Sequence, residues 1–383
     1  VLLRAPLEDR RLAPISIAAH AVPSTMCGRL ILLLSMTAAI QLPWPNVMFY
    51  SLDATLGEVA VVSDEVLAQR LQQKHALVVG GTDGIGKGTA LALARGGASV
   101  TIVGHSPSKV SSTLKDLASV ARRPSEQQFE AYSADLLTVR GCLNLTRKIQ
   151  VSGAMFDLAV LTVGVWPDWK DPSSGDGINK VIALDVLARY IVTRELLPSF
   201  STGARVMSVL GSTVKVPPPP AMQLISDIAY WGKTKHGLGD ILGTAGVLGD
   251  AWMQHMAAAL RPNITLIGTW PGIVGTDLVQ HSETFPCWLR PFLAAGDKLV
   301  GMPLEESGSI HAQILTSPNA ARRSVSYFNV KLEGRQTNPM AYDGGFQKWV
   351  WDFLEGAVAN HSASTKDHQT TSIAKTRTIT VVV

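Results

Sequence analysis

From about residue 64 onward, short runs of consecutive apolar residues alternate with longer amphipathic stretches, a rhythm that predicts strands separated by helices. Val66, Leu67 and Leu71 among polar neighbours predict a short helix over 64–73, followed by a buried strand over 75–79. Thr89 to Arg95 has the alanines and leucines of a helix, Gly96 and Gly97 stop it, and Ala98 to Val103 reads as the next strand. The alternation continues with helix 106–122, strand 128–133, helix 138–151, strand 156–163, helix 178–197 and strand 204–210. A proline-rich loop at 217–220 precedes helix 228–246, extendable through 260, and strand 263–269. A mobile apolar flap over 284–303, with Phe285, Trp288, Phe292 and Leu293, leads into helix 304–316. Strands apolar on both faces and joined by helices imply an α/β fold, with a parallel sheet covered on both sides.

The two ends break this rhythm. Residues 1–63 form a largely disordered extension with a short helix near 29–40, because prolines are scattered through them and no period is sustained. The tail beyond Ala357 is rich in Ser, Thr and Lys and too poor in apolar residues to fold, so the extension 336–383 is disordered at its end. Between them lies a single domain over 64–335. Its core is well supplied, since 46% of the chain is hydrophobic and 17% charged. The net charge of +4 comes from 34 basic and 30 acidic residues spread along the chain, which excludes a nucleic-acid partner. Cys27, Cys142 and Cys287 form no C-x-x-C pair and no His/Cys ligand spacing, so no metal is expected and a reducing, cytoplasmic compartment fits. Leu30 to Ile40 is shorter than the ~20 residues that span a bilayer, so no clear transmembrane segment is present. Arg29 before it and Thr37-Ala38-Ala39 near its end keep a targeting segment open.

The first candidate chemistry lies at Gly80-Gly81-Thr82-Asp83-Gly84-Ile85-Gly86, directly after a predicted strand and opening a predicted helix. Glycines at Gly80, Gly84 and Gly86 let backbone turn tightly and approach a pyrophosphate, and a helix N-terminus offers it unpaired N–H groups. A ligand-free strand-to-helix turn is the plainer alternative. At the end of the second strand, Gly104, His105 and Ser106 with Lys109 following include no carboxylate, which favours NADP over NAD. Neutral His105 is a weak phosphate ligand, so NAD stays open, and Lys109 reads equally as a solvated helix charge.

Together these segments resemble the short-chain dehydrogenase/reductase family over about residues 74–330. Val79 to Gly86 is similar to that family's T-G-x-x-x-G-I-G turn, and Asp135-Leu136 resembles its adenine-binding pair. Leu161-Thr162-Val163-Gly164 stands where the family has N-N-A-G and keeps only Gly164, while Pro271-Gly272-Ile273-Val274-Gly275-Thr276 matches P-G-x-V-x-T beside the nicotinamide. The resemblance implies a Rossmann-type doubly wound sheet and hydride exchange with a small alcohol or carbonyl compound. It also implies homo-oligomerisation through the lysine-bearing helix and the helix after the fourth strand.

For catalysis the resemblance implies a serine, a tyrosine, a lysine and an asparagine, since hydride transfer to a carbonyl needs hydrogen-bond donors and a matched acid. Lys235 matches, the serine position falls at Gly211 or Ser212, and Asp185 stands at the asparagine position. Trp231 occupies the tyrosine position four residues before Lys235, and Tyr230, one residue earlier, would point away on an ideal helix. A π-bulge absorbing Trp231 would bring Tyr230 back. Lys233 is a substitute partner for Tyr230, and Trp166, Trp169, Trp288 and Phe292 either line an apolar cleft or simply pack. Two functions therefore stand: an oxidoreductase acting on an apolar alcohol or carbonyl, and a catalytically silent nucleotide-binding sensor, scaffold or subunit.

Overall fold

The structure, a computed structural model, describes residues 50–210, 222–230, 236–259, 264–362 and 378–381. In chain order the elements are α1 (Asp64–Leu71), β1 (His75–Val79), α2 (Gly84–Arg95), β2 (Ser99–Gly104), α3 (Pro107–Ser119), β3 (Phe129–Ser133), α4 (Val139–Ser152) and β4 (Phe156–Leu161). A π-helical segment (Ile182–Ala188) runs into α5 (Arg189–Glu195), followed by β5 (Phe200–Val209), α6 (Met222–Ala229), α7 (Leu238–Ala259) and β6 (Thr265–Trp270). Then come α8 (Leu278–His281), α9 (Arg290–Val300), α10 (Leu304–Thr316), β7 (Val325–Asn329), α11 (Gly344–Ser362) and β8 (Thr378–Val381).

The sheet order is β7-β6-β5-β4-β1-β2-β3-β8, with the first seven strands parallel and β8 antiparallel to β3. This is the doubly wound α/β fold. From β1 the chain winds outward to β3, then returns to place β4 on the other side of β1, so the strand order reverses between β1 and β4. A crevice forms where neighbouring connections leave on opposite faces, which is where such sheets bind ligands. Alternation along the strands builds two cores: Leu77 and Val79 join the layer containing α4, α5, α7 and α11, while Ala76 and Val78 join the layer containing α1, α2, α3 and α10.

Three expectations require correction. The continuous helix over 228–246 is instead two helices, α6 ending at Ala229 and α7 starting at Leu238, with Gly237 N–H donating to Asp240 Oδ2 at 3.0 Å ahead of α7. A glycine and a carboxylate three residues on make a helix start, which the run of helix formers after it masks. The tail beyond Ala357 is not wholly structureless: α11 continues to Ser362, and the β-branched run Thr378–Val381 pairs with the open edge of β3. The segment expected to be a mobile flap holds a helix, α9, over Arg290–Val300.

The domain also reaches past both of its drawn ends. Leu56 and Val59 are buried, Asp53 and Val59 N–H groups donate to Gly334 and Leu332 carbonyls, and α11 buries Phe346, Val350 and Leu354. The expected helix near 29–40, the apolar stretch at 30–40 and the proline loop at 217–220 lie outside the described residues. Among the described residues no helix is long and apolar enough to cross a membrane, and no group of His, Cys, Asp and Glu is arranged to hold a metal.

Candidate active site

The turn after β1 can be built only from glycine at its key positions. Gly80 has φ +90°, and a Cβ there would lie 2.6 Å from Thr162 Oγ1, while a Cβ at Gly86 would lie 2.3 Å from the Gly80 carbonyl oxygen. Asp83 caps α2, its Oδ1 accepting from Gly84 N–H at 2.8 Å, and Lys87 N–H bonds the Asp83 carbonyl at 3.0 Å. The N–H groups of Ile85 and Gly86 are then first-turn donors with no acceptor within the helix, aimed out of its positive end. Thr82 packs against Gly104 at the end of β2, where a Cβ would lie 2.3 Å from Thr82 Cγ2.

Three chain segments converge on this turn. Lys109, from the first turn of α3, forms an ion pair with Asp83 and so sits between the end of β2 and the glycine turn. Partial burial raises the Asp83 pKa, but the Lys109 ammonium and the Gly84 N–H outweigh it and hold the carboxyl below its ordinary range. His105 is exposed, and its carbonyl accepts from Ser133 Oγ at 3.0 Å. The segment from Pro271 folds over the same place: Gly272 turns at φ +72°, Val274 is buried, and a Cβ on Gly84 would lie 3.2 Å from Thr276 Cγ2. Further out, Asp135 is exposed with its Oδ1 accepting from Leu137 N–H at 3.0 Å, and Leu136 is buried behind it.

On the reaction side the structure brings Gly164 against Asp185: a Cβ on Gly164 would lie 1.9 Å from Asp185 Oδ1. Burial pushes the Asp185 carboxyl up to about 7, with Arg189 and the Val165 N–H opposing it. Arg189, buried beside Asp185, was not singled out from the sequence. The available signal was a lone Asp and Arg four residues apart in the apolar run from Val181 to Val192. Tyr230 follows the last turn of α6; it is half exposed, its ring meets Phe353 edge-on at 5.8 Å, and burial raises its hydroxyl pKa. Ser212, Trp231, Lys233 and Lys235 lie outside the described residues, and with them the π-bulge expected there. A π-helical segment does occur, at Ile182–Ala188.

The chain beyond β4 meets the segment before α9 through aromatic and hydrogen-bonded contacts. Trp166 meets Phe285 edge-on at 5.8 Å, Trp169 Nε1 donates to the Thr284 carbonyl at 3.0 Å, and Thr284 Oγ1 donates to the Pro167 carbonyl at 2.6 Å. Trp288 and Phe292 on the flap are exposed. A cradle closed to any Cβ, first-turn N–H donors and a lysine beside the end of β2 fit the pyrophosphate and ribose of a dinucleotide.

Residues 74–223 match the sequence profile of the short chain dehydrogenases. The chain is 30% identical over 275 residues to hydroxynaphthalene reductase of Aspergillus fumigatus, covering 68% of this chain and 91% of that one. It is 27% identical over 214 residues to polyprenol dehydrogenase of Homo sapiens, covering 54% of this chain and 62% of the human protein's length. Among solved structures, a short chain dehydrogenase from Burkholderia cenocepacia in complex with NADP aligns with TM-score 0.50 and 19% identity over 68% of this chain and 97% of that one. One from Salmonella enterica aligns with TM-score 0.51 and 17% identity over 71% and 99%. The structural likenesses show the fold, and the sequence relatives show the family. This chain belongs to the short-chain dehydrogenase/reductase family, a family of NAD(P)-dependent oxidoreductases acting on small substrates.

Proposed function

We propose that the protein is an NADP-preferring oxidoreductase that interconverts an apolar alcohol and its carbonyl compound. The observation that carries the cofactor preference is Lys109, fixed by Asp83 between the glycine turn and the carboxylate-free end of β2. The names of two relatives, a polyprenol dehydrogenase and a hydroxynaphthalene reductase, and the exposed aromatics Trp288 and Phe292 support an apolar substrate.

When bound, the nicotinamide supplies or accepts the hydride. The chain's part is to bind, orient and move a proton. Gly80 to Gly86 and the α2 N-terminus take the pyrophosphate, Lys109 and His105 the 2′-phosphate, Asp135 the adenine amino group, and Pro271 to Thr276 cover the nicotinamide side. Ser212 is the donor proposed for the substrate oxygen. Lys235 holds the ribose and lowers the pKa of Tyr230, which exchanges the proton. The exposed aromatics shed water from the apolar substrate.

The test measures NADPH and NADH binding and turnover with a panel of apolar ketones, aldehydes and alcohols. Lys109→Ala is expected to weaken NADPH binding about tenfold, roughly 1.4 kcal/mol, and to leave NADH binding unchanged. Equal loss for both cofactors would remove the basis for NADP preference, and no turnover of any substrate would remove the oxidoreductase reading. A second reading, the catalytically silent nucleotide-binding protein, is favoured by one observation: the Tyr230 ring packs against Phe353 with its hydroxyl pKa raised. Tyr230→Phe separates the two, because an acid in the reaction costs about a hundredfold or more in kcat when lost, and a packing tyrosine costs little.

A further inference from the structure

Pairing between β4 and β5 stops at Leu161 and Ser208. Beyond that pair the two chains go separate ways, β4 into Val163, Gly164 and Val165, and β5 into Val209 and Leu210. Leu210 has φ +146°, a backbone that a leucine rarely adopts, at the point where β5 leads toward Ser212.

One side chain spans the gap. Arg189, at the junction of the π-helical segment and α5, donates from Nε and Nη2 to the Val163 carbonyl at 2.9 and 2.7 Å. From Nη1 it donates to the Val209 carbonyl at 2.6 Å and to Ser208 Oγ at 3.2 Å. Its side chain is 3% exposed. Asp185, one turn earlier, places Oδ1 3.6 Å from Nη2, a charge contact rather than a hydrogen bond, and lies directly behind Gly164. Burying such a pair costs desolvation that apolar residues of the same size would avoid, so it is weak evidence of a purely stabilising role. What a guanidinium offers here is geometry: a rigid fork whose donors diverge toward two carbonyls, Val163 just past β4 and Val209 at the end of β5.

We propose that Arg189, paired with Asp185, is a positioning residue that sets the separation of the β4 and β5 ends, and with it the seat of the 163–165 loop relative to Val209 and Leu210. In this role Asp185 acts through Arg189 and the loop backbone. The consequence for turnover rests on the oxidoreductase reading above; the consequence for the backbone does not.

Arg189→Lys keeps the charge but replaces the fork with a point donor that cannot serve both carbonyls. Asp185→Asn keeps the shape and removes the paired charge, and it carries the test if the arginine variant fails to fold. Both are measured in the full chain by amide hydrogen exchange with and without NADPH, and by kcat, KM and NADPH binding. The expected result is faster exchange at residues 163–165 and 208–210, with 76–79 unchanged. Turnover should fall about tenfold at near-constant NADPH affinity, since small misplacements of reacting groups are costly in kcat. In Arg189→Ala, added guanidinium is expected to restore part of the lost rate. Unchanged exchange at both strand ends would overturn the proposal, as would kcat within about twofold of wild type in folded Arg189→Lys. If the wild type turns over nothing, the oxidoreductase reading fails while the exchange result still decides whether the pair holds the strand ends.

Discussion

His311 shows how a single side chain ties this fold to pH. It lies wholly buried in α10 with Nδ1 bonded to the Ser307 carbonyl at 2.6 Å, and burial pushes its imidazole down to about 4. The folded protein therefore keeps His311 neutral at pH values where the unfolded chain protonates it. The stabilisation is fully present above the ordinary value of 6.5 and is lost as pH falls through 4. About 3 kcal/mol is at stake, from the difference between those values. Asp185 runs the other way: with its carboxyl pushed up to about 7, its contribution is lost as pH rises through that value. His311→Gln is expected to shrink the loss of stability between pH 7 and pH 4 by about 2–3 kcal/mol in denaturant titrations; an unaltered acid limb would show that another group causes it. At this scale, legibility depends on how local the cause is. Gly80, Gly84 and Gly86 were readable because each answers a constraint set within a few residues. Arg189 was not, because its acceptors Val163 and Val209 lie 26 and 20 residues away in sequence and meet it only once the sheet is assembled.

Between elements, the closest approach is that of α2 and α10. A Cβ on Gly308 would lie 2.2 Å from the Gly88 carbonyl oxygen, and one on Gly88 would lie 2.4 Å from the Leu304 carbonyl oxygen, so backbone meets backbone at the crossing. Because α2 also carries at its N-terminus the glycine turn proposed to take the pyrophosphate, displacing α10 would displace the proposed cofactor site. Gly308→Ala is expected to destabilise the protein by about 3 kcal/mol and to weaken NADPH binding in the same variant. A melting temperature equal to wild type would show that the crossing yields easily. Most elements were legible in the pattern of apolar residues, since strands buried on both faces and helices with one apolar stripe carry different periods. The break between α6 and α7 was hidden because both helices are apolar and the stop between them depends on Gly237 and Asp240, which do not interrupt the pattern. β8 was hidden because an edge strand needs only a free neighbour and a few β-branched residues.

For the whole molecule, α11 changes which surface is available. It packs along α7 and α4: the Trp351 ring meets Tyr190 edge-on at 5.2 Å and lies 4.8 Å from His255. Glu355 bonds both the Tyr190 hydroxyl and Arg194, which brings α5 into the same contact. The sequence placed this helix in a terminal extension because its apolar positions alternate with Gly, Asp and Lys; its partners lie ninety or more residues upstream. The resemblance implied association through the lysine-bearing helix and the helix after β4; α11 packs on α7 and reaches α5, the helix after β4, at Tyr190 and Arg194. We propose that α11, by covering this face with the chain itself, disfavours its use by a second copy. A stable interface would have to bury ~1,200–2,000 Å² elsewhere. The full chain is therefore expected to run as a monomer at micromolar concentration in light scattering. Glu355→Lys, which replaces the acceptor of Tyr190 and Arg194 with a like charge, is expected to loosen α11 and raise the associated fraction. A wild-type dimer that persists on dilution would mean that α11 either yields to a partner or forms part of the interface itself. A dimer weakened by Glu355→Lys would select the second of these, because only then does the helix hold two copies together.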